Sequence, residues 1–254
     1  YTTPAPMNNS LYLYGIFPTP GPQKIELHGL DQQPVHTEIV DGFAFLYSEA
    51  QQERYLASRK NLLGHEKVLE QAMHAGYRTL LPLRFGLIIG DWSTVTDQLI
   101  TPYGTYLHQL FDRLNGKREV SVKVFWAQDA ELQMLLDENT DLRSKRDSLE
   151  GKNLSMDQIV SIGQAIEQAM EARKQTIINA FREALNPFAE AIVENDTLTE
   201  AMIYNAAYLI PWDAEPDFSH CVETLDQQFD QRLKIRYNNL TAPYNFAQID
   251  QFDS

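Results

Sequence analysis

Short runs of strand-forming residues, separated by turn residues, dominate the beginning of the chain. Residues 11–17 are apolar and aromatic, and the Pro- and Gly-rich stretch 18–22 ends this run. Residues 35–40 and 43–47 predict two further strands, which are joined at Asp41-Gly42. Asp-Gly between apolar runs is a strong hairpin signal, because both central positions of a type I′ turn require a positive φ. We therefore expect a β-hairpin here.

The next segment combines a helical pattern with a second apolar run. Ser48, followed three positions later by Gln51, predicts a capping box, and a helix that continues to a stop at Gly76. Residues 80–89 are apolar enough for a buried strand. Pro82 lies within that run and cannot donate a ladder hydrogen bond, so we expect this strand at a sheet edge or at a bulge.

A long amphipathic helix is the clearest feature of the second half. Ser155 and Gln158 predict a capping box at its start, and Pro187 sets its end. Its apolar positions recur at close to 3.6 residues, so we expect them to face a core. These positions are Ile159, Ile162, Ile166, Ala169, Met170, Ile177, Phe181 and Ala184.

The segments around this helix predict a β-α-β-β-α-β order. Residues 120–126 alternate as a half-buried strand, and the charged stretch 137–153 predicts a loop. After the long helix we expect a strand at 188–193, a strand at 201–210, a helix at 213–230 and a strand at 233–237. This order is the split βαβ, or ferredoxin-like, arrangement, in which two helices cover one face of a four-stranded sheet.

The predicted fold class is therefore α+β, with two domains. An N-terminal α+β domain covers 1–117, a modified ferredoxin-like domain covers 118–238, and 239–254 form a C-terminal tail. The tail carries several apolar groups, so we expect it to pack back on the body. Charge supports the division, because the first 117 residues hold 9 basic and 11 acidic side chains and the rest hold 12 and 24.

Composition excludes some classes of function. The chain has 254 residues, of which 43% are hydrophobic, and this argues against disorder. Its formal net charge of −14 disfavours binding to nucleic acid or to an anionic lipid surface, since both need a basic patch. No apolar run approaches the roughly 20 residues that span a bilayer.

A search for catalytic and ligand motifs finds none. The chain lacks the phosphate-binding, dinucleotide-binding, zinc-protease and nucleophile-elbow patterns, and its six histidines show no metal-ligand spacing. The single cysteine, Cys221, is interpreted as a packed thiol. We therefore expect no cofactor and no metal. Glu66 on the first helix and Arg84 after it are interpreted as an ion pair that joins helix to sheet, with a ligand site as the alternative.

Five short motifs, in order along almost the whole chain, resemble the gas vesicle protein F/L family. They are LYLYGI at 11–16, HEKVLE at 65–70, LPLRFG at 81–86, GKREV-x-VKVFW at 116–126 and LTAPYNF at 240–246. The resemblance implies a non-enzymatic accessory or minor structural protein of gas vesicle assembly, formed in the cytoplasm and located at the vesicle. It also implies two α+β domains, the second a modified ferredoxin-like unit.

The partners that this resemblance implies are the small apolar subunit of the vesicle shell and other gas vesicle proteins. A subunit that lines a gas space exposes apolar surface before assembly, and a charged, soluble partner could cap it by strand addition or by helix-in-groove contact. The structural or partner-contact candidates are Glu66, Arg84, Pro82, Phe85, Trp126, Leu240, Pro243, Tyr244 and Phe246.

Two other classes of protein remain open at this point. A ferredoxin-like unit could be a small-molecule sensor or regulatory module, which a ligand-induced rise in melting temperature would reveal. A hydrolase with a dispersed site would show convergent, perturbed carboxylates in a deep pocket. Both fit the composition, but neither accounts for the five ordered motifs.

Overall fold

The first sheet of the computed structural model is built around one buried strand. The structure describes residues 9–151, 153–247 and 249. Strand β1 (Leu11–Pro18) is buried from Tyr12 to Phe17. It pairs antiparallel with β3 (Phe43–Glu49), which pairs antiparallel with β2 (His36–Val40). Because β1 is apolar on both faces, it can occupy the middle of the sheet.

The predicted hairpin between β2 and β3 is confirmed. Asp41 and Gly42 both adopt a positive φ, 48° and 86°. Val40 is opposite Phe43 and His36 is opposite Tyr47, so the register runs without a break from the turn. The two-residue turn therefore sets which side chains of β3 face each side of the sheet.

The single strand predicted at 80–89 is wrong, because the structure forms two short strands there. These are β4 (Leu81–Pro82) and β5 (Ile88–Ile89), and both pair with β1. Gly86 adopts a φ of 88°, which turns the chain between them. In the strand order β2-β3-β1-β4, strand β4 lies at an edge of the sheet. Pro82, which has no backbone N–H to donate, is therefore on an edge strand, as predicted.

The first long helix starts ten residues later than the sequence predicted. Helix α1 (Arg59–His74) is capped by Ser58, whose Oγ accepts a 3.2 Å hydrogen bond from the backbone N–H of Asn61. Ser48 is instead buried in β3, where its hydroxyl bonds to another side chain, so the predicted cap at Ser48 is wrong. The predicted stop is confirmed, since Gly76 adopts a φ of 104° just after the helix.

Three helical segments follow β5 along the chain. The segments are α2 (Trp92–Val95), a π-helical turn (Thr96–Ile100) and α3 (Thr101–Leu114).

A cluster of buried side chains from β1, β3 and α1 forms a hydrophobic core, which also includes Leu240 and Ala242 of the tail. The tail therefore packs on the body through apolar side chains, as predicted.

The second sheet has the strand order β7-β8-β6-β9. Its strands are β6 (Lys117–Trp126), β7 (Ala191–Glu194), β8 (Met202–Pro211) and β9 (Leu233–Thr241). Strand β9 is longer than predicted. Both sheets are antiparallel, which confirms a mixed α+β fold, while the finer ferredoxin-like assignment stays a prediction.

Helices connect these strands. They are α4 (Gln128–Glu138), α5 (Thr140–Asp147), α6 (Met156–Leu185) and α7 (Glu215–Gln228). The loop predicted at 137–153 is therefore wrong over α5, which Asn139 caps by accepting from the N–H of Leu142. The predicted capping box of Ser155 and Gln158 is confirmed. No helix in the described part of the chain is both long and apolar enough to cross a bilayer.

The apolar stripe of α6 is only partly buried. Ile177, Ile178, Phe181 and Leu185, in its C-terminal half, are buried. Ile159, which the 3.6-residue pattern assigned to a core, is 43% exposed, so that assignment is wrong. Helical periodicity identifies an apolar face, but it does not supply the element that covers the face.

By contacts the chain forms two units. Unit 1 contains the described residues of 1–120, 209–212 and 240–254, and unit 2 contains those of 121–208 and 213–239. In unit 2, Phe218 lies at the centre of an aromatic cluster, with ring centroids 5.3 Å from Tyr208 and 5.7 Å from Tyr237. Each such pair adds to the free energy of burial through its edge or offset geometry.

A buried carboxylate joins three segments of unit 2. Glu131 on α4 accepts hydrogen bonds from Arg173 on α6 at 2.7 Å and from Arg232, just before β9, at 2.9 and 2.8 Å. Burial alone raises the pKa of a carboxyl, but hydrogen bonds and charge from Arg232 and Arg173 outweigh it and lower the pKa of Glu131. The carboxylate is therefore ionised, and both of its oxygens accept hydrogen bonds from the two arginines.

We predict that Glu131→Gln lowers the free energy of unfolding by about 3 kcal/mol, because it leaves two guanidinium groups facing a neutral amide. Urea denaturation followed by circular dichroism measures the change. Glu223→Gln, at an exposed position on α7, is the matched control and should change it by less than about 0.5 kcal/mol. Equal effects of the two substitutions would show that the buried ion cluster does not stabilise unit 2.

Candidate functional site

Within unit 1, backbone hydrogen bonds hold the LPLRFG segment, residues 81–86, to strand β1. Leu81 and Pro82 pair with Ile16 and Gly15 in β1, and the N–H of Leu83 donates to the carbonyl of Tyr14 at 3.0 Å. Beyond Leu83 the backbone leaves the sheet, so other groups must satisfy its polar atoms.

Those groups are a buried histidine and a buried tyrosine. The Nε2 of His65 on α1 lies 3.0 Å from the carbonyl oxygen of Leu83, and its Nδ1 lies 2.8 Å from the hydroxyl of Tyr12. The N–H of Gly86 donates to the same hydroxyl at 2.9 Å. A carbonyl can only accept, so Nε2 carries the proton, Nδ1 accepts from Tyr12, and the Tyr12 oxygen accepts from Gly86.

The imidazole in this chain of hydrogen bonds is held neutral by its burial. His65 is 2% exposed. Its burial lowers the pKa of the ring to about 4, with the hydrogen bond to the Leu83 carbonyl opposing the shift. A protonated ring would direct a second N–H at Tyr12, whose oxygen would then have to accept from both Gly86 and His65. We call the set Tyr12, His65, Leu83 and Gly86 the histidine bridge.

A second buried tyrosine explains the role of Ser48. The Tyr14 hydroxyl is 2.7 Å from the Ser48 Oγ and accepts a 2.9 Å bond from the N–H of Leu30. Gly29 is required beside it, since a Cβ there would lie 2.0 Å from the Tyr14 oxygen. Burial raises the pKa of Tyr14, so the phenol stays neutral.

The LTAPYNF tail is fixed in unit 1 by a carboxylate as well as by apolar packing. Glu119 on β6 is 2% exposed, and its two oxygens accept from the backbone N–H of Asn245 at 2.9 Å and from its Nδ2 at 3.0 Å. Burial raises the pKa of Glu119 to about 7, although both hydrogen bonds from Asn245 act in the opposite direction. This contact is local to the tail and defines its orientation at Asn245.

The predicted candidates of unit 1 are brought together around these contacts. Leu240 is buried in the core, Pro243 and Phe246 are also buried, and Tyr244 and Phe85 are half-buried against the core. Pro82 is buried in β4. These side chains support the fold of unit 1, and their role as partner contacts stays a prediction.

Two charged candidates are exposed. Glu66 lies on α1 and Arg84 follows β4, and both side chains are open to solvent. The ion pair proposed between them stays a prediction. Tyr244 has a raised pKa, chiefly through burial, with Glu66 and Glu70 adding to the effect, and its hydroxyl bonds to no described residue.

Trp126 belongs to unit 2, whereas the other candidate residues belong to unit 1. The residue is 5% exposed, its backbone N–H donates to the carbonyl of Ala201 at 2.9 Å, and the Nζ of Lys174 lies 5.7 Å from its ring centroid. The indole Nε1 has no described partner. The ring contributes to the wall of a groove beside α6.

The sequence did not single out Tyr12, Glu119 or the role of His65. One signal for His65 was available, because it falls on the same helical face as Val68, Leu69 and Ala72, and a polar residue in an apolar face needs a partner. Glu119 gave no such signal, since its partner is 126 positions further along the chain.

No cluster of three or more acidic, His or Cys side chains suited to a metal ion occurs in the described ranges. Cys221 is half-buried, its Sγ lies 3.6 Å from the Ala184 carbonyl, and burial raises the pKa of the thiol. Its environment is that of a packed thiol, since a reactive one requires a lowered pKa.

The class of protein follows from these features: a two-unit α+β protein in which the buried His65, Glu119 and Glu131 bond to its own backbone and side chains. A family model described as "Gas vesicle synthesis protein GvpL/GvpF" matches residues 10–248. The chain belongs to this family, as the five motifs predicted.

Its relatives include gas vesicle protein F of Dolichospermum flosaquae, which is 60% identical over 96% of this chain and 100% of its own length. The protein of that name from Nostoc sp. is 59% identical over 96% and 100%. The crystal structure of GvpF from Anabaena sp. PCC7120 superposes with a TM-score of 0.88, at 59% identity, over 95% of this chain and 99% of that one. GvpF from Microcystis aeruginosa gives 0.84 at 58% identity, over 95% and 100%.

The histidine bridge makes stability depend on pH in one direction. His65 has a pKa of about 4 when folded and about 6.5 when unfolded, so the unfolded state takes up the proton first as the pH falls. We predict that the free energy of unfolding decreases from pH 6.5 to pH 4, by up to about 3 kcal/mol more in the wild type than in His65→Gln. Chemical denaturation across this range measures the difference.

The control for this pH series is His28→Gln, which changes an exposed histidine. The free energy of unfolding of this variant should change with pH as that of the wild type does. If that of His65→Gln also changes in this way, the imidazole is not held neutral by the fold and the histidine bridge does not have the proposed direction of donors.

The tail contact predicts a second pH dependence, which is centred on the raised pKa of Glu119. Asn245→Ala removes the Nδ2 donor to Glu119, which is charged above a pH of about 7 and neutral below it. A hydrogen bond to a charged acceptor is stronger, so we expect a loss of about 2 kcal/mol at pH 8.5 and a smaller loss at pH 5.5. Urea denaturation at the two pH values measures both losses.

Asn153→Ala, at an exposed position, serves as the control and should be neutral at both pH values. A loss for Asn245→Ala that is the same at pH 5.5 and 8.5 would contradict the ionisation of Glu119 as its source.

Proposed function

We propose that this protein is an accessory protein of gas vesicle assembly, which binds the small apolar shell subunit by protein–protein contact. The observation that carries this proposal is membership of the gas vesicle synthesis family over residues 10–248, together with relatives named gas vesicle protein F that match over their full length. Other gas vesicle proteins are further expected partners, and the protein is expected at the vesicle after assembly in the cytoplasm.

The physical basis is the solubility of an apolar subunit before assembly. A subunit that will line a gas space exposes apolar surface, and such a surface aggregates unless a partner covers it. A chain with a net charge of −14 remains soluble while one of its faces holds an apolar partner. A folded, charged contact protein is therefore suited to this step.

The buried ionisable groups support a role in contact and not in catalysis. The His65 ring uses both nitrogens within the fold, the Glu119 carboxylate accepts from Asn245, and Glu131 accepts from two arginines. A general acid or base needs a reacting atom within hydrogen-bond reach, and these groups already hold protein partners there. We infer that their role is to fix backbone segments.

We place the contact face in unit 1 at the exposed side of the LPLRFG segment. Arg84 is exposed there and Phe85 is half-buried, while the histidine bridge fixes the backbone on both sides of them. Glu66 is exposed on α1 and belongs to the same set of candidates. A rigid segment that presents charged and aromatic side chains loses little conformational entropy on binding.

The test is capture of the shell subunit after co-expression with the affinity-tagged full chain. We expect the wild type to keep the subunit in the soluble fraction and to retain it on the affinity resin. Arg84→Glu should lower the amount captured several-fold, because it reverses a charge at the contact face without changing a buried group. Quantitative immunoblotting of the eluate measures the ratio of subunit to bait.

Arg54→Glu, which reverses another exposed charge of unit 1, is the matched control and should capture as the wild type does. Thermal denaturation of each variant checks that it is folded. Failure of the wild type to capture the subunit would reject the proposed function. Undiminished capture by Arg84→Glu would reject this face and leave shell binding itself in place.

A further inference from the structure

The N-terminal half of α6 leaves large apolar side chains uncovered. Met156 is 72% exposed, Val160 is 48% exposed and Ile159 is 43% exposed. A group of α4 and α5 side chains, which includes Leu136 and Leu142, packs against α6 at Ala165, Ile166, Ala169 and Met170, and Ile166 and Met170 stay half-buried. One face of this half of the helix is therefore packed and a second apolar face is open.

The open face continues along the helix. Met156, Ile159 or Val160, and Gly163 are separated by three or four residues and so lie on one side of α6. Gly163 has no atom within 4 Å of the position that a Cβ would take. At this point another backbone can approach the helix closely, because no side chain stands between them.

Beyond Gly163 the face becomes a groove between α6 and α4. The groove has a volume of about 440 Å³, and its apolar lining comes from Trp126, Leu132, Ile166 and Met170. Residues 156 to 174 span roughly 27 Å at 1.5 Å per residue. We call the whole surface, from Met156 to Lys174 with Trp126 and Leu132, the α6 groove.

The edges of the α6 groove are acidic. Asp129, Glu167, Glu171 and Glu200 line it, and all four residues are exposed. Among the described residues that line the groove between α6 and α4, Lys174 is the one cation, and its Nζ is already 3.3 Å from a carboxylate oxygen of Glu171. The surface therefore combines an apolar floor with an excess of negative charge at its edges.

We propose that the α6 groove binds a basic amphipathic helix of a partner protein. Apolar side chains of that helix, at spacings of three and four residues, pack on Ile159, Ile166 and Met170, and its lysines or arginines pair with the acidic edges. The length of the α6 groove, roughly 27 Å, corresponds to about 18 residues of helix at 1.5 Å per residue. A second copy of this chain is disfavoured as the occupant, because its own α6 face has the same acidic edges.

The probe for this proposal is a fluorescein-labelled, helix-forming peptide of about 18 residues, with leucines on one face and lysines flanking them. Fluorescence anisotropy against the full chain measures its affinity. We expect one-to-one saturable binding that weakens as salt is raised. A peptide of the same leucine pattern with glutamates in place of lysines should bind at least about tenfold more weakly.

Two pairs of variants locate the binding surface. Gly163→Leu fills the open position and should abolish binding of the lysine peptide, whereas Gln164→Leu, one exposed position further, should not change it. Glu167→Lys with Glu171→Lys should weaken binding about tenfold, and Glu223→Lys with Asp226→Lys on α7 should weaken it far less. Circular dichroism confirms the helical content of each variant.

Equal binding of the lysine and glutamate peptides, or equal binding by the Gly163→Leu and Gln164→Leu variants, would overturn the proposal. Self-association of the wild type in sedimentation velocity, lost in Gly163→Leu, would also overturn it, since a second copy would then be the occupant. The groove lies in unit 2 and the assay contains no shell subunit. Its outcome is therefore separate from that of shell capture.

Discussion

A neutral imidazole inside unit 1 is the constraint on which the arrangement of the LPLRFG segment depends. His65 has to donate to the Leu83 carbonyl and accept from Tyr12, and the Tyr12 oxygen has to accept from Gly86. With the ring neutral, each group has one compatible role, because the carbonyl cannot donate and the amide N–H cannot accept. Helix α1, strand β1 and the turn after β4 are thus fixed to one another by polar bonds as well as by apolar packing. An apolar residue at position 65 would leave the Leu83 carbonyl without this donor, at a cost of about 1 to 3 kcal/mol.

The same problem, a polar group in a dry interior, has a different solution at each buried site. His65 gives up its charge, as the lowered pKa indicates. Glu131 keeps its charge and is matched by two guanidinium groups. Glu119 is intermediate, since amide donors from Asn245 only partly offset its burial and its pKa is about 7. The three sites share one consequence, which is that segments distant in the sequence are held in defined positions.

How much of this could be predicted depends on the range of the interaction. The Asp41-Gly42 hairpin and the Ser155 capping box were correct, because the residues that determine them are within three positions of each other. The cap predicted at Ser48 came from the same kind of local signal and was wrong. The Ser48 hydroxyl is buried in the core, where it bonds to the distant Tyr14 instead. Strand 80–89 was broken at 83–87, where Tyr12 and His65 provide the hydrogen bonds that a sheet would otherwise supply. The candidates chosen from the motifs include the apolar side chains of the tail but not Glu119, although Glu119 lies in the GKREV motif and holds the tail.

The exposed half of α6 shows where periodicity and burial separate. The pattern from Ile159 to Ala184 is continuous in the sequence, yet the helix is buried only from Ile177 onward among its large apolar residues. An apolar stripe that the protein's own elements leave open costs solubility unless charge lies beside it. Residues 118–254 hold 24 acidic and 12 basic side chains, and four of those acids line the groove next to the stripe. The charge keeps the open face soluble and, at distances within about 10 Å, attracts cations and repels a second copy. The acidic character of this part of the chain thus favours a basic partner as well as solubility.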